Sequence, residues 1–339
     1  MYIHDIIGFL KKLSIGKIIN ACGLLVSFYW SKWNSVAPHP FMPMTISIEP
    51  TTACNLRCPE CPSGLKSFTR PTGNLKEDFF RSVIDDIKDK LIYLIFYFQG
   101  EPFINSNFLK MVKYASDLGI YTITSTNGHF LSDDVARRTI ESGLDRLIIS
   151  IDGTTQKTYQ QYRKGGNLEN VIAGTKHIIK WKKKLKSKSP HIIFQFLVVK
   201  PNEHQITNVA QLAKELGVNE VKYKSAQVYD YKKGNPLIPT NEKYSRYAIQ
   251  NNGTYKLKYK LKNECWKMWH SAVITWDGKV VPCCFDKDAS HPMGTICKKT
   301  SFSDIWKGKD YFAFKKLVFN QRGMIDICTN CTEGCEVWR

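Results

Sequence analysis

Three cysteines fall within eight residues, Cys54-Asn55-Leu56-Arg57-Cys58-Pro59-Glu60-Cys61, at C-x3-C-x2-C spacing. Thiolates at that density suit iron–sulfur clusters or zinc. Three are too few to close a four-coordinate site, and no further His or Cys follows until His129. Bound to a four-iron cluster they leave one iron open to an exogenous ligand. A structural zinc site is the competing reading and would need a fourth ligand from elsewhere. Of the eleven cysteines, ten lie in two regions, 54–61 and 265–335, and Cys22 stands apart. Such clustering in a long chain reads as metal binding rather than as a disulfide framework. Thiols that ligate iron must stay reduced, so the expected compartment is the cytosol.

A chain of 339 residues, 43% hydrophobic and 12% aromatic, can bury a sizeable core and excludes a disordered class. Its 49 Lys and Arg against 30 Asp and Glu give +19, which favours an anionic partner. No dedicated RNA-binding motif accompanies the charge, so nucleic acid is not the expected partner. The basic block 180–188 reads as an exposed helix end running into a loop.

The cysteine loop must be positioned by the elements around it. From 45 to about 230 the pattern alternates strand and helix, which implies a parallel sheet covered by helices. The expected strands are 45–49, 91–98, 120–126, 146–151, 191–199 and 220–224; helices are expected over 79–90, 108–118, 132–142, 168–182 and 204–216. The loop follows the first strand, and ligand chemistry in such arrays gathers at C-terminal strand ends. Residues 225–264 read as a bridge or lid. Beyond 265 come a hairpin about Trp276-Asp277-Gly278-Lys279 and one helix over 303–319.

Residues 1–31 form an apolar, basic lead. Ile3, Ile6, Ile7, Leu10 and Leu13 recur at helical spacing beside Lys11 and Lys12, and 13 residues, 18–30, carry no formal charge. That run is short for a transmembrane helix. A signal peptide does not fit, because Asp5 and His4 interrupt the basic start and no small-residue cleavage site is evident. Two readings stay open: a helix packed on the protein's own body, or an amphipathic helix resting on an anionic membrane. Pro38, Pro40 and Pro43 break any helix before the first strand.

Residues 54–61 resemble the cluster-binding loop of radical S-adenosylmethionine enzymes, and the likeness extends over about 45–230. The resemblance implies a partial (β/α)6 radical SAM barrel, with a 4Fe-4S cluster on Cys54, Cys58 and Cys61. The open iron would chelate S-adenosylmethionine, and one electron would cleave it to a 5′-deoxyadenosyl radical. Gln99-Gly100-Glu101-Pro102 resembles the family's GGE-type turn, with Gln99 in place of the first glycine; Glu101 would accept from the methionyl ammonium. Ser125-Thr126-Asn127-Gly128 resembles its third-strand motif. Ser150-Ile151-Asp152-Gly153 with Tyr159 and Arg163 resembles its fourth-strand stretch, where Ser150 would meet the ribose or methionine end and Arg163 the carboxylate. Gln195 on the fifth strand and the backbone of Val221–Tyr223 on the sixth, which would read adenine, complete the implied cofactor contacts. The residue before the third cysteine usually packs on adenine; here it is Glu60, whose methylene stem would have to cover the ring.

Cys265 followed by Gly278-Lys279-Val280-Val281-Pro282-Cys283 resembles the start of the SPASM extension. The chain lacks the cysteines of the full two-cluster pattern. The resemblance to the shortened "twitch" variant implies one auxiliary 4Fe-4S cluster on Cys265, Cys283, Cys328 and Cys331. Cys335 or Cys284 as a replacement ligand, and zinc on the same four thiolates, remain alternatives. The implied organisation is a lead over 1–44, a radical SAM core over 45–230, a bridge over 231–264 and a small cysteine-rich SPASM-like domain over 265–339.

The implied function is a radical SAM oxidoreductase that abstracts hydrogen from a peptide, protein or small molecule, with the auxiliary cluster as electron acceptor. A reducing partner such as flavodoxin or ferredoxin would supply the first electron. Peripheral contact at the inner face of the membrane, with a lipid or lipid-linked glycan as substrate, is an alternative motivated by residues 1–31. A catalytically silent scaffold is another. No catalytic base is identifiable. Asp277, Asp286, His270 and Tyr223 lie in candidate regions, and each reads first as structural.

Overall fold

The computed structural model describes residues 3–34 and 40–333; Pro38 and Cys335 lie outside them. In chain order, α1 (Ile3–Leu10) and α2 (Ile15–Trp33) lead to β1 (Thr45–Ile48). The cysteine loop and a short α3 (Pro62–Leu65) precede α4 (Glu77–Ile87), β2 (Tyr93–Ile95), α5 (Phe108–Asp117) and β3 (Tyr121–Thr126). Next come α6 (Asp133–Glu141), β4 (Arg146–Ser150), α7 (Gln156–Tyr162), α8 (Leu168–Lys184), β5 (His191–Val198), α9 (Ile206–Leu216) and β6 (Glu220–Ser225). A hairpin, β7 (Tyr247–Ile249) and β8 (Tyr255–Leu257), lies in the expected bridge. The remainder is α10 (Trp266–His270), β9 (Ser271–Ile274), β10 (Lys279–Val281), β11 (Gly294–Thr295), α11 (Phe302–Trp306) and α12 (Lys309–Gln321).

The alternation of six strands with helices is present as expected. Local signals explain the boundaries. Ser132 and Asn167 cap α6 and α8 by accepting from Val135 N and Asn170 N, and Asp133 and Asp134 sit in the first turn of α6. Lys182, Lys183 and Lys184 fill the last turn of α8, where the helix dipole favours cations. Gly217 ends α9 in the left-handed conformation. Two expectations change. The second strand keeps only three residues of the apolar run. The helix expected over 303–319 breaks at Gly308, which caps α12 with an extended backbone because glycine is a poor helix interior.

The chain forms two compact units. One comprises residues 3–5, 54–67 and 124–260. Its sheet is β4, β5 and β6, all parallel, with Ser150 opposite Gln195 and Gln195 opposite Lys222. An apolar cluster of Leu56, Cys58, Tyr162, Val199, Val228 and Tyr247, with their neighbours, joins the cysteine loop to the bridge. The second unit comprises residues 6–53, 68–123 and 261–333. There β9, β1, β2 and the first half of β3 run parallel, and β10 and β11 extend the sheet antiparallel from β9. The strands after 265 thus continue the sheet that β1 begins. Glu49, just past β1, accepts two hydrogen bonds from Arg70 at 2.8 and 2.6 Å, a buried pair that fixes the chain at that strand end.

Candidate functional site

In the first unit the cysteine loop is anchored on three sides. Arg57 N donates to Lys164 O at 2.9 Å, joining the loop to the turn after α7. α3 starts at Cys61 and lies directly on the loop backbone. A Cβ on Gly64 would stand 2.6 Å from Cys58 N, so only glycine allows that approach. The Glu60 carboxylate accepts from Tyr229 N at 3.0 Å and ties the loop to the segment after β6.

Polar side chains converge on the sulfurs. Arg163 Nη1 lies 3.9 Å from Cys58 Sγ while its Nε donates to Asp152. Burial works against the guanidinium charge, but the Asp152 carboxylate and then the Cys58 sulfur outweigh it and hold Arg163 above its ordinary value. Asn127 Nδ2 donates to Asn55 Oδ1 at 2.7 Å and lies 3.9 Å from Cys54 Sγ. Asn127 is itself held by His129, whose Nδ1 sits 3.0 Å from Asn127 Oδ1 and whose Nε2 accepts from Asn167 N at 2.8 Å. Burial lowers the His129 pKa, which keeps Nε2 an acceptor. Cys58 is buried, and burial raises its thiol, with Arg163 pulling the other way. A guanidinium beside Cys58 and an amide beside Cys54 suit a net-negative thiolate-ligated centre.

Register places further groups. Residues opposite one another on parallel strands share a face, so Ser150, Gln195 and Lys222 face one way. Leu197, two residues beyond Gln195, packs against the apolar cluster that holds Cys54, Cys58 and Cys61, so this is the face turned to the loop. Tyr223 points the other way, its hydroxyl donating to Ile206 O at 3.0 Å. Only its backbone remains for the cofactor contact expected of it. Asp152, expected among the same contacts, is fully buried; one oxygen accepts from Leu197 N at 2.7 Å and the other from Arg163. It positions Arg163 and presents no free edge to a ligand.

In the second unit, Gln99-Gly100-Glu101 forms the turn after β2. Gly100 has φ +73°, and a Cβ there would meet Thr51 O at 2.2 Å. Glu101 N donates to Ala53 O at 2.8 Å, which holds the turn against the residue preceding Cys54. Glu101 is 2% exposed, and Gln99 Oε1 is buried with no hydrogen-bond partner. A buried, unsatisfied acceptor costs free energy until a donor arrives, as the ammonium of an amino-acid ligand would.

The same unit carries Cys265, Cys283, Cys328 and Cys331, of which Cys283 alone is more than slightly exposed. Burial raises all four thiols, Cys331 to about 12; the charge of Cys265 is felt at Cys283, Cys328 and Cys331. Arg322, 1% exposed, donates from Nη1 to Glu264 O and from Nη2 to Glu333 O, and Nη2 lies 3.5 Å from Cys331 Sγ. Among the described residues, no three His, Cys, Asp or Glu side chains converge closely enough to hold a single metal ion. Cys284 interacts with Lys267, whose ammonium also pairs with Glu333 at 2.9 Å. Cys297 is exposed.

Two of the candidate bases are engaged structurally. Asp277 accepts from Thr275 Oγ1 at 2.6 Å in its turn, and Asp286 accepts from Ser290 N and His291 N. Burial brings His270 down to about 4. Sequence reasoning missed His129 and Arg322, and nothing local signals either.

Two family models match the chain: the radical SAM superfamily over residues 48–213, and the SPASM iron-sulfur cluster-binding domain over 265–332. The tungsten-containing aldehyde ferredoxin oxidoreductase cofactor-modifying protein of Pyrococcus furiosus is 28% identical over 324 residues, covering 85% of this chain and 88% of that protein. Streptococcus suis SuiB bound to S-adenosylmethionine has the same fold at 13% identity, TM-score 0.63, covering 87% of this chain and 73% of SuiB. BtrN in complex with AdoMet and 2-DOIA matches at 18% identity, TM-score 0.52, covering 86% and 94%. The chain therefore belongs to the radical SAM superfamily, as an enzyme whose cofactors are a 4Fe-4S cluster and S-adenosylmethionine and whose C-terminal SPASM domain carries auxiliary iron–sulfur ligation.

Proposed function

We propose that this chain is a radical SAM oxidoreductase acting on a peptide or protein side chain, with Cys54, Cys58 and Cys61 holding the open cluster and Cys265, Cys283, Cys328 and Cys331 a fully ligated auxiliary one. When bound, these groups supply reductive cleavage of S-adenosylmethionine to a 5′-deoxyadenosyl radical, hydrogen abstraction from substrate, and an acceptor for the leftover electron. The observation that carries the reading is Arg163, held by Asp152 and lying 3.9 Å from Cys58 Sγ. Its guanidinium is oriented to bind a carboxylate beside the loop. By the family resemblance we assign Gln99 and Glu101 to the ammonium, Ser150 and Gln195 to the ribose or methionine end, and the backbone of β6 to the adenine. Glu60 spends its carboxylate on Tyr229 N, which leaves its stem to lie along the ring.

The auxiliary thiols are ligated on separate irons in a cluster, whereas zinc needs all four on one centre. A peptide substrate is supported by SuiB, which was also solved bound to precursor peptide SuiA. The reduced thiols suit the cytosol, with flavodoxin or ferredoxin as electron donor.

The test is reduction of the reconstituted protein with S-adenosylmethionine present. 5′-Deoxyadenosine should form, and Cys58→Ala should abolish it. No product from a fully cluster-loaded sample would favour a scaffold instead.

A further inference from the structure

α2 is built inside out. Its buried side carries Lys17, Asn20 and Ser31 beside Leu24 and Phe28. Its outer side carries Ile15, Ile18, Ile19, Val26, Trp30 and Trp33, at the three- and four-residue steps of one helical face. Ile15 is 78% exposed, Val26 68%, Trp30 60% and Trp33 76%. A surface helix ordinarily turns that stripe to the core. Here specific bonds prevent it. Lys17 Nζ donates to Gly119 O at 2.8 Å and Lys12 O at 3.2 Å. Asn20 exchanges two bonds with the Met42 backbone, at 2.8 and 2.9 Å. Gly23 lies so close to Phe41 that a Cβ would stand 2.2 Å from its ring, so the facing side is also fixed sterically. Turning the helix over would strand a buried ammonium and an amide.

We propose that this outward face of α2 docks the enzyme on an anionic lipid surface. Charge selects the occupant. The only acid in the described residues 3–34 is Asp5, which is buried and paired with Arg146; Lys11 is exposed, and Lys32, also exposed, pairs with Glu264 at 2.6 Å. The chain carries +19, so a second copy would be repelled where an anionic bilayer is attracted. Tyr29, Trp30 and Trp33 close the stripe, and amphipathic rings favour the headgroup level. No single described helix is long and apolar enough to cross a membrane, and α1 and α2 reach that length only as a pair bent by 98°; in the proposed docking α2 lies in the interface plane. α1 adds exposed Ile3, Ile7 and Leu10 at the same spacing.

Cluster-loaded full-length protein is to be sedimented with phosphatidylglycerol–phosphatidylcholine vesicles and with phosphatidylcholine vesicles, at low and high salt. The wild type should pellet with the anionic vesicles, release partly in salt, and show blue-shifted tryptophan emission. Ile19→Glu/Val26→Glu should lose binding by about tenfold or more. Its iron content and 5′-deoxyadenosine formation should be unchanged, because neither residue belongs to the cofactor site. A second variant, Trp30→Ala/Trp33→Ala, should weaken binding without introducing charge. Wild type that stays in solution with both vesicles overturns the proposal. So does a concentration-dependent dimer, dissolved by the glutamates, that binds no vesicle; this face would then join two copies.

Discussion

Arg163 and Arg322 do the same electrostatic work at two cysteine sets, and each can be tested alone. Asp152 is fully buried, so removing the Arg163 charge would leave an unpaired carboxylate, at a cost of about 3–5 kcal/mol. Arg163→Lys keeps the charge but loses the planar fork. We expect it to retain iron and weaken S-adenosylmethionine binding by about 10–100-fold, read by titrating the cofactor against the cluster's electron paramagnetic resonance. For Arg322→Met the account expects an auxiliary reduction potential more negative by about 60 mV or more, a tenfold change in a one-electron equilibrium. An unmoved potential would show that Arg322 only ties Glu264 and Glu333 together. Lys315 gives a pH test. It is 4% exposed, burial brings it down to about 7, and the rings of Trp306 and Trp269, at 4.1 and 4.9 Å, favour its charged form. A lysine lowered on folding binds fewer protons than in the unfolded chain between about pH 7 and its ordinary value near 10, so stability should rise with pH across that window. In cluster-loaded protein, Lys315→Met should flatten the slope of melting temperature against pH relative to wild type. The cysteines and Arg163 were legible because their spacing is local. Arg322 and His129 were not, because their roles depend on partners that only folding supplies.

At the scale of elements, turns hold the chemistry. Gly100 combines φ +73° with a 2.2 Å approach to Thr51 O, so Gly100→Ala should displace the turn bearing Gln99 and Glu101. We expect a loss of about 1–3 kcal/mol in stability by thermal melting, together with weaker cofactor binding. The bridge hairpin is secured by Tyr247, whose hydroxyl accepts from Val228 N at 2.8 Å and donates to Val228 O at 3.0 Å. Tyr247→Phe should cost about 1–2 kcal/mol and speed amide exchange over β7 and β8. The alternation of strands and helices was readable from hydrophobic runs and glycine stops. The hairpin was not read, although Asn251-Asn252-Gly253 is a turn signal, because three-residue strands are too short to show an alternating pattern. The lead shows the same boundary from the other side. Its apolar content was plain. Which face is buried was not, because Lys17 and Asn20 find their partners at Gly119 and Met42.

Across the whole molecule, the labour is divided, in the proposed reading, between two cysteine sets: one would keep an iron open for S-adenosylmethionine, and the other would be closed and suited to electron transfer. The division is tested most directly by comparing reconstituted wild type with Cys54→Ala/Cys58→Ala/Cys61→Ala for iron content and for the electron paramagnetic resonance of the reduced protein with and without S-adenosylmethionine. The account predicts about eight irons in the wild type and about four in the variant. It also predicts a spectrum that S-adenosylmethionine perturbs in the wild type only. Unchanged iron in the variant, or a variant spectrum that still responds to S-adenosylmethionine, would contradict it.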